Sequence, residues 1–153
     1  MNAFEYTSVI SAFLTETLRG DAVLTNLIGT RVYDSERPQA KDQAQLAALY
    51  PCVLFYIRAY SRALLGNGDN IVWVPSEAVV IGMDISLSWT RLEPIAARIY
   101  QLLHGNNGVN VTTGGYINTC TFRRPEKVPE TVNDVHYKRL GGVFEIAARL
   151  SAS

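Results

Sequence analysis

The sequence predicts an α+β fold, a mostly antiparallel sheet with an N-terminal helix and a central helix packed on one face. Two segments, residues 3–18 and 90–105, repeat apolar residues at helical spacing, and four others run apolar or alternate as strands do. Their order is the third observation. Helices come first, then strands, one helix, and strands again, a segregation that reads as α+β with antiparallel pairing.

The first helix is expected over Ala3–Leu18, with Phe4, Val9 or Ile10, Phe13, Leu14 and Leu18 on its apolar face. Asn2 and Glu5 stand at cap-and-return spacing, and Gly20 stops the helix. Asp21 can cap a short second helix that turns Leu24, Leu27 and Ile28 inward and ends at Gly29. Thr30–Tyr33 is a short strand. Asp34–Leu49 is a polar connection far longer than the usual run of about 4–6 residues, the kind of loop that is functional or disordered. Its Ala- and Gln-rich second half fits a helical turn. Tyr50-Pro51 imposes an extended entry into Cys52–Tyr60. That stretch, CVLFYIRAY, reads as a central strand covered on both faces.

Ser61–Ser76 is a second long excursion around the turn signal GNGDN, flanked by Leu64, Leu65, Ile71, Val72, Trp73 and Val74. Two readings stand: a protruding hairpin or loop with an apolar surface, or a segment folded back on the core. Glu77–Ser88 alternates, with Val79, Ile81, Met83, Ile85 and Leu87 on one side and Gly82, Asp84, Ser86 and Ser88 on the other. This predicts a strand with one buried and one wetter face. The best-marked helix follows at Thr90–Gly105. Thr90 and Glu93 have capping-box spacing, Pro94 falls in the first turn, and Leu92, Ile95, Ala96, Ile99 and Leu103 form one stripe. Gly105 is placed to end it. A small strand is expected at Val109–Thr112 and a longer one at Tyr116–Arg123, stopped by Arg123-Arg124-Pro125. Pro125–Asn133 is a polar connection. His136–Leu150 is a long final strand with Leu140, Phe144, Ile146, Ala148 and Leu150 inward, and Gly141-Gly142 mark a bulge or bend in it.

With 153 residues the chain fits one domain, 1–153, with long loops at about 34–50 and 61–76. Fourteen basic and fourteen acidic residues cancel, which argues against a dedicated nucleic-acid binder. Apolar runs stay short of the ~18 residues that cross a bilayer, so no membrane partner is expected. The N-terminus carries Glu5 and no positive leader, unlike a signal peptide. Cys52 and Cys120 both fall in predicted strands and read as free buried thiols, which fits synthesis in a cytoplasm.

Residues that could carry chemistry are sparse. His104 ends a helix and His136 opens a strand, and neither stands at zinc-ligand spacing with the cysteines. GxSxG and the P-loop are absent, and the glycines of GNGDN lack a following Lys-Ser or Lys-Thr. Asp21, Asp34, Asp84 and Asp134 are scattered. Arg58 and Arg62 flank Tyr60, and Arg123, Arg124 and Lys127 cluster near a strand end. Basic residues around an aromatic can hold nucleic acid, but at zero net charge, solvated strand ends or subunit salt bridges are the leading reading. No catalytic, metal or cofactor-binding residue is expected.

Four stretches carry a resemblance. LRGDAVLTNLIGTRVYD follows the N-terminal helix, YPCVLFYI opens the central strand, LLHG ends the main helix, and HYKRLGGVFEIAAR forms the last strand. In that order, almost end to end, they resemble the tail-terminator (tail-completion) proteins of tailed bacteriophages, of the HK97 and lambda type. The inserts at Asp34–Leu49 and Ser61–Ser76 are longer than that family's. The resemblance implies a non-enzymatic virion protein of the tail or neck, made in the host cytoplasm. It implies a homo-hexameric ring that caps the tail tube, ends its polymerisation and joins the tail to the head connector. The implied partners are further copies of the chain, the tail tube protein and a connector or stopper protein, with DNA passing through the lumen without sequence recognition. Another head–tail joining protein, or a tube-like protein, of the same assembly is the alternative. On this reading Leu64, Leu65, Ile71, Val72, Trp73 and Val74 are candidate subunit or partner contacts, and Arg58, Arg62, Arg123, Arg124 and Lys127 are candidates for the lumen or for salt bridges.

Overall fold

The computed structural model describes Ala3–Tyr60, Leu64–Leu65 and Ile71–Arg149. In chain order the elements are α1 (Ala3–Arg19), α2 (Ala22–Ile28), β1 (Val32–Asp34), α3 (Gln43–Ala47), β2 (Cys52–Tyr60), β3 (Leu64–Leu65), β4 (Ile71–Asp84), α4 (Leu92–Leu103), β5 (Val109–Asn110), β6 (Tyr116–Val132) and β7 (Val135–Arg149). The sheet order is β1-β2-β4-β7-β6-β5, with β3 paired to β4 beside that path. Among the described strands only β1 with β2 is parallel. The class is the predicted one, α+β with a mostly antiparallel sheet.

One face of the sheet packs against helices. Val9, Ile10, Phe13, Leu14 and Leu18 of α1 and Leu92, Ile95, Ile99 and Leu103 of α4 are buried in one cluster with Val53, Phe55, Ala78, Val80, Phe144, Ile146 and Ala148. Each large side chain among them contributes about 1.5–3 kcal/mol by leaving water, so this layer dominates stability. A Cβ on Gly82 would sit 2.9 Å from Ile95 Cγ2 and 3.0 Å from Leu92 Cδ2, so the glycine lets α4 lie close on β4. Asp21 ties the helices together. Its Oδ2 accepts the Leu24 N–H at 2.9 Å, capping α2. Both its oxygens accept from Arg98 of α4, at 2.9 and 2.6 Å. The Arg98 hydrogen bonds hold the Asp21 carboxyl below the usual carboxylate range, and burial works against them.

The other face buries Leu54, Val79, Ile81 and Val143 in a second cluster. Thus residues 78–84 of β4 are buried on both sides. Of the residues read as its polar face, Gly82 lies under α4, Asp84 is buried at the strand's end, and Ser86 and Ser88 fall beyond the strand, while Val79, Ile81 and Met83 fill the far side. The strand also stops at Asp84. Asp84 Oδ1 accepts from the N–H of Ile85 at 2.8 Å and of Ser86 at 3.3 Å, which turns the chain out of the ladder. Ile85 and Leu87 therefore do not continue the strand.

Four further expectations change. The α4 helix starts at Leu92 with Arg91 at its cap and no side-chain cap bond. Thr90 instead gives its N–H to Ser88 Oγ at 3.1 Å. β2 is covered on both faces only near Val53–Phe55 and sits second from an edge, since β1 spans just three residues. β6 does not end at Arg123 but runs through Pro125 and Pro129 to Val132, and the polar connection is strand. Phe122 points its N–H away from β7, to His104 Nδ1 at 3.1 Å. Counting on through the register shift between Phe122 and Arg124, residues 125, 127, 129 and 131 present their backbone nitrogens to that outer side. Both prolines therefore fall where no ladder bond is lost. Finally, Gly141 and Gly142 mark no bulge, for β7 keeps its register with β4 through both. A Cβ on Gly141 would lie 2.2 Å from the Val80 carbonyl oxygen, and one on Gly142 would lie 2.5 Å from the Phe122 ring. Space, not a kink, requires glycine there. Leu150 lies outside the described residues.

Candidate functional site

The excursion after β2 is a hairpin whose returning strand is the first part of β4. Leu64 pairs with Trp73 and Leu65 with Ile71 across an irregularity. Val72 lies between those partners, and Val74 pairs with Ala148 of β7. The backbone of the six apolar candidates is thus two strands of one arm. Residues 66–70, which hold the GNGDN signal, and Arg62 lie outside the described residues.

The remaining basic candidates do not form one patch. Arg58 lies 3.5 Å from Glu77 and 3.5 Å from Glu126, Arg124 lies 3.4 Å from Glu77, and Arg123 lies 2.8 Å from Glu145. Arg58 is on β2 and Glu126 on β6, with β4 and β7 between them, so their meeting shows that the far face of the sheet curls inward. Lys127 belongs to the opposite side. It pairs with Leu140, and its Nζ sits 4.8 Å from the centroid of Trp89. The carboxylates Glu77, Glu126 and Glu145 escaped the sequence reading. Part of the signal was present, because residues two apart share a strand face and Arg124 and Glu126 are two apart.

Nearer the β6–β7 turn, the polar connection lies against this same face. A cleft of about 480 Å³ opens there, its lining including Arg37, Leu54, Tyr56, Met83, Glu130 and Arg139. Arg139 donates to the Tyr56 hydroxyl at 2.9 Å. Glu130 stands 3.6 Å from Arg139 and 3.7 Å from Arg37. Arg37 also lies over the Tyr137 ring at 5.1 Å. The cleft wall is a clamp that fastens the 34–49 connection to the sheet, and at its rim the Ser35 hydroxyl donates to Asp34 Oδ1 at 2.7 Å.

Other reactive side chains are occupied structurally. Cys52 and Cys120 are free and buried, and burial pushes both thiols up to about 12, so neither supplies a thiolate near neutral pH. The His104 ring stacks on Tyr100 and accepts the Phe122 N–H, which closes part of the β6 edge. His136 shares a hydrogen bond with Thr131 at 2.9 Å. Among the described residues no group of three or more His, Cys, Asp or Glu could hold a metal ion, and no helix is long and apolar enough to cross a membrane.

No protein-family model and no curated protein matches the chain. Its fold is similar to that of a chain solved in the virion of a native gene transfer agent particle. The two share 20% identity over 97% of this chain and 98% of that one, with a TM-score of 0.68. At that identity the likeness is one of fold.

Proposed function

We propose that this chain is a structural virion protein, a tail terminator whose copies form a six-membered ring on the end of the tail tube. The ring ends tube polymerisation and joins the tail to the head connector, and the protein does no catalysis. The observation that carries this reading is the end-to-end likeness of fold to a chain of a gene transfer agent virion. The ordered motifs of the sequence support the finer assignment. A ring is a closed heterologous assembly, so each copy needs two different contact surfaces. The β3–β4 arm, with Leu64, Leu65 and Ile71–Val74, provides one. The far face, where Arg58, Arg123 and Arg124 are matched by Glu77, Glu126 and Glu145, has the charge balance suited to a lumen through which DNA slides without being gripped.

Electron microscopy of the purified protein, alone and mixed with tail tubes, tests the proposal when solution mass is measured in parallel. A ring with a central hole, or density on one end of each tube, is the expected result. Decoration of connector-bearing heads but never of tubes would move the protein to a stopper or neck position. Decoration of neither would remove it from the tail.

A further inference from the structure

The turn from β4 into α4, residues 85–91, is built with more care than a connection requires. Asp84 is fully buried at its base, taking two backbone N–H groups and a salt bridge from Arg91 at 3.1 Å. Ser86 Oγ accepts the Ser88 N–H at 3.3 Å, and Ser88 Oγ accepts the Thr90 N–H and bonds the Thr90 hydroxyl. Lys138 Nζ donates to the Ser86 carbonyl at 2.8 Å. Trp89 packs on the main core from within the turn, with the ammonium groups of Lys127 at 4.8 Å and Lys138 at 5.8 Å from its centroid. At the crest of this braced turn stands Leu87, 92% exposed. The other large apolar residues found exposed, Val23, Tyr100 and Val128, are half-covered at 50%, 43% and 38%.

A braced turn loses little freedom when something binds it, and a leucine held out of water's reach in an apolar socket gains its burial energy almost in full. Beside it, Ile85 joins Leu46, Ala47, Val135 and Gln43 around a shallow hollow of about 220 Å³, which extends the apolar area. Lys127 and Lys138 put positive charge on the same end of the sheet. We propose that this end docks a different protein subunit of the particle, one that offers an apolar socket edged by carboxylates, with Leu87 as the anchor. A second copy is the poorer fit. A self-contact that used this one surface on both copies would be two-fold, would close at a dimer, and would set Lys127 and Lys138 against their own counterparts. The inference rests on the virion reading above and names the partner-facing surface within it.

Leu87→Glu is the deciding variant, because a side chain so exposed can change without disturbing the core. Its melting temperature and circular dichroism should match wild type, and its binding to purified tail tubes, or to connector-bearing heads, should fall by at least about tenfold. Asp84→Asn, which loosens the turn and leaves Leu87 in place, should fall between the two. Undiminished binding by Leu87→Glu would overturn the anchor and leave the virion reading intact. Failure of wild type to bind either particle would overturn both. Sedimentation showing a Leu87-dependent dimer in the absence of any particle would replace the foreign partner by a second copy.

Discussion

The two faces of the sheet are held by different physics. On the helix face, Phe144, Val80 and Ala78 meet Ile95, Ile99 and Leu14 in a dry apolar layer. On the far face, four aliphatic side chains, Leu54, Val79, Ile81 and Val143, lie beneath ion pairs that remain partly open to water. Burial is non-directional and is not screened by salt, whereas a solvated pair of charges is. The first face therefore supplies stability, and the second supplies a surface of defined charge pattern at small energetic gain.

The contrast is broken most directly at Phe144, which is 1% exposed and meets Phe122 edge-on at 5.6 Å. Phe144→Ala should cost about 3–5 kcal/mol and lower Tm by roughly 10 °C, at low and high salt alike. Thermal unfolding in both conditions checks this, and a strong salt dependence of the loss would contradict the division between the faces.

Asp21 tests whether charge within the helix layer behaves differently from charge on the far face. Its pair with Arg98 is two-pronged and only 12% and 28% exposed, and Asp21 also caps α2. Asp21→Ala should cost about 1–3 kcal/mol near neutral pH. The sign with pH follows from the lowered folded-state pKa. The stabilisation is complete above the unfolded carboxylate value of about 3.9 and is lost as pH falls through the depressed folded value. Denaturant titrations from pH 6 to pH 2 should show the wild-type advantage shrinking, and an advantage that grows on acidification would refute the assignment.

Glu77 offers the smallest effect. It faces both Arg58 and Arg124, and Glu77→Gln should cost no more than about 1 kcal/mol at low salt and close to nothing at 1 M salt. A loss above about 2 kcal/mol that persists in high salt would mean that the far face is part of the stabilising core after all.

Much of this architecture was legible in the sequence because periodicity reports burial directly. The stripes of α1 and α4, the cap at Asp21, the turn of helix in the 34–49 connection and the apolar run of β2 all follow from spacing. What failed was inference about a residue's neighbours. Gly82 read as solvent-facing because a small residue resembles a wet face, when it marks a close-packed helix. Pro125 and Pro129 read as a break because a proline removes a donor, and only the register shows that the donor would have pointed off the sheet. The candidate surfaces were legible in part. The pairing of β3 with β4 was visible from the two apolar flanks. The partners of Arg58, Arg123 and Arg124 come from three different strands, and no local pattern brings such residues together. Leu87 was read as one more buried position of an alternating strand, since nothing local announced that Asp84 would end the ladder.

The prolines of β6 also bear on how the molecule behaves in crowded solution. Past Phe122 no described backbone segment pairs with the outer side of that strand. A bare edge of such length would ordinarily recruit extended chains and seed fibres. Here two of the four outward nitrogens between residues 125 and 131 carry no hydrogen, so an incoming strand finds acceptors without the matching donors and cannot zip along it. That edge is thus a poor template for an added strand, by the same prolines that looked like its end.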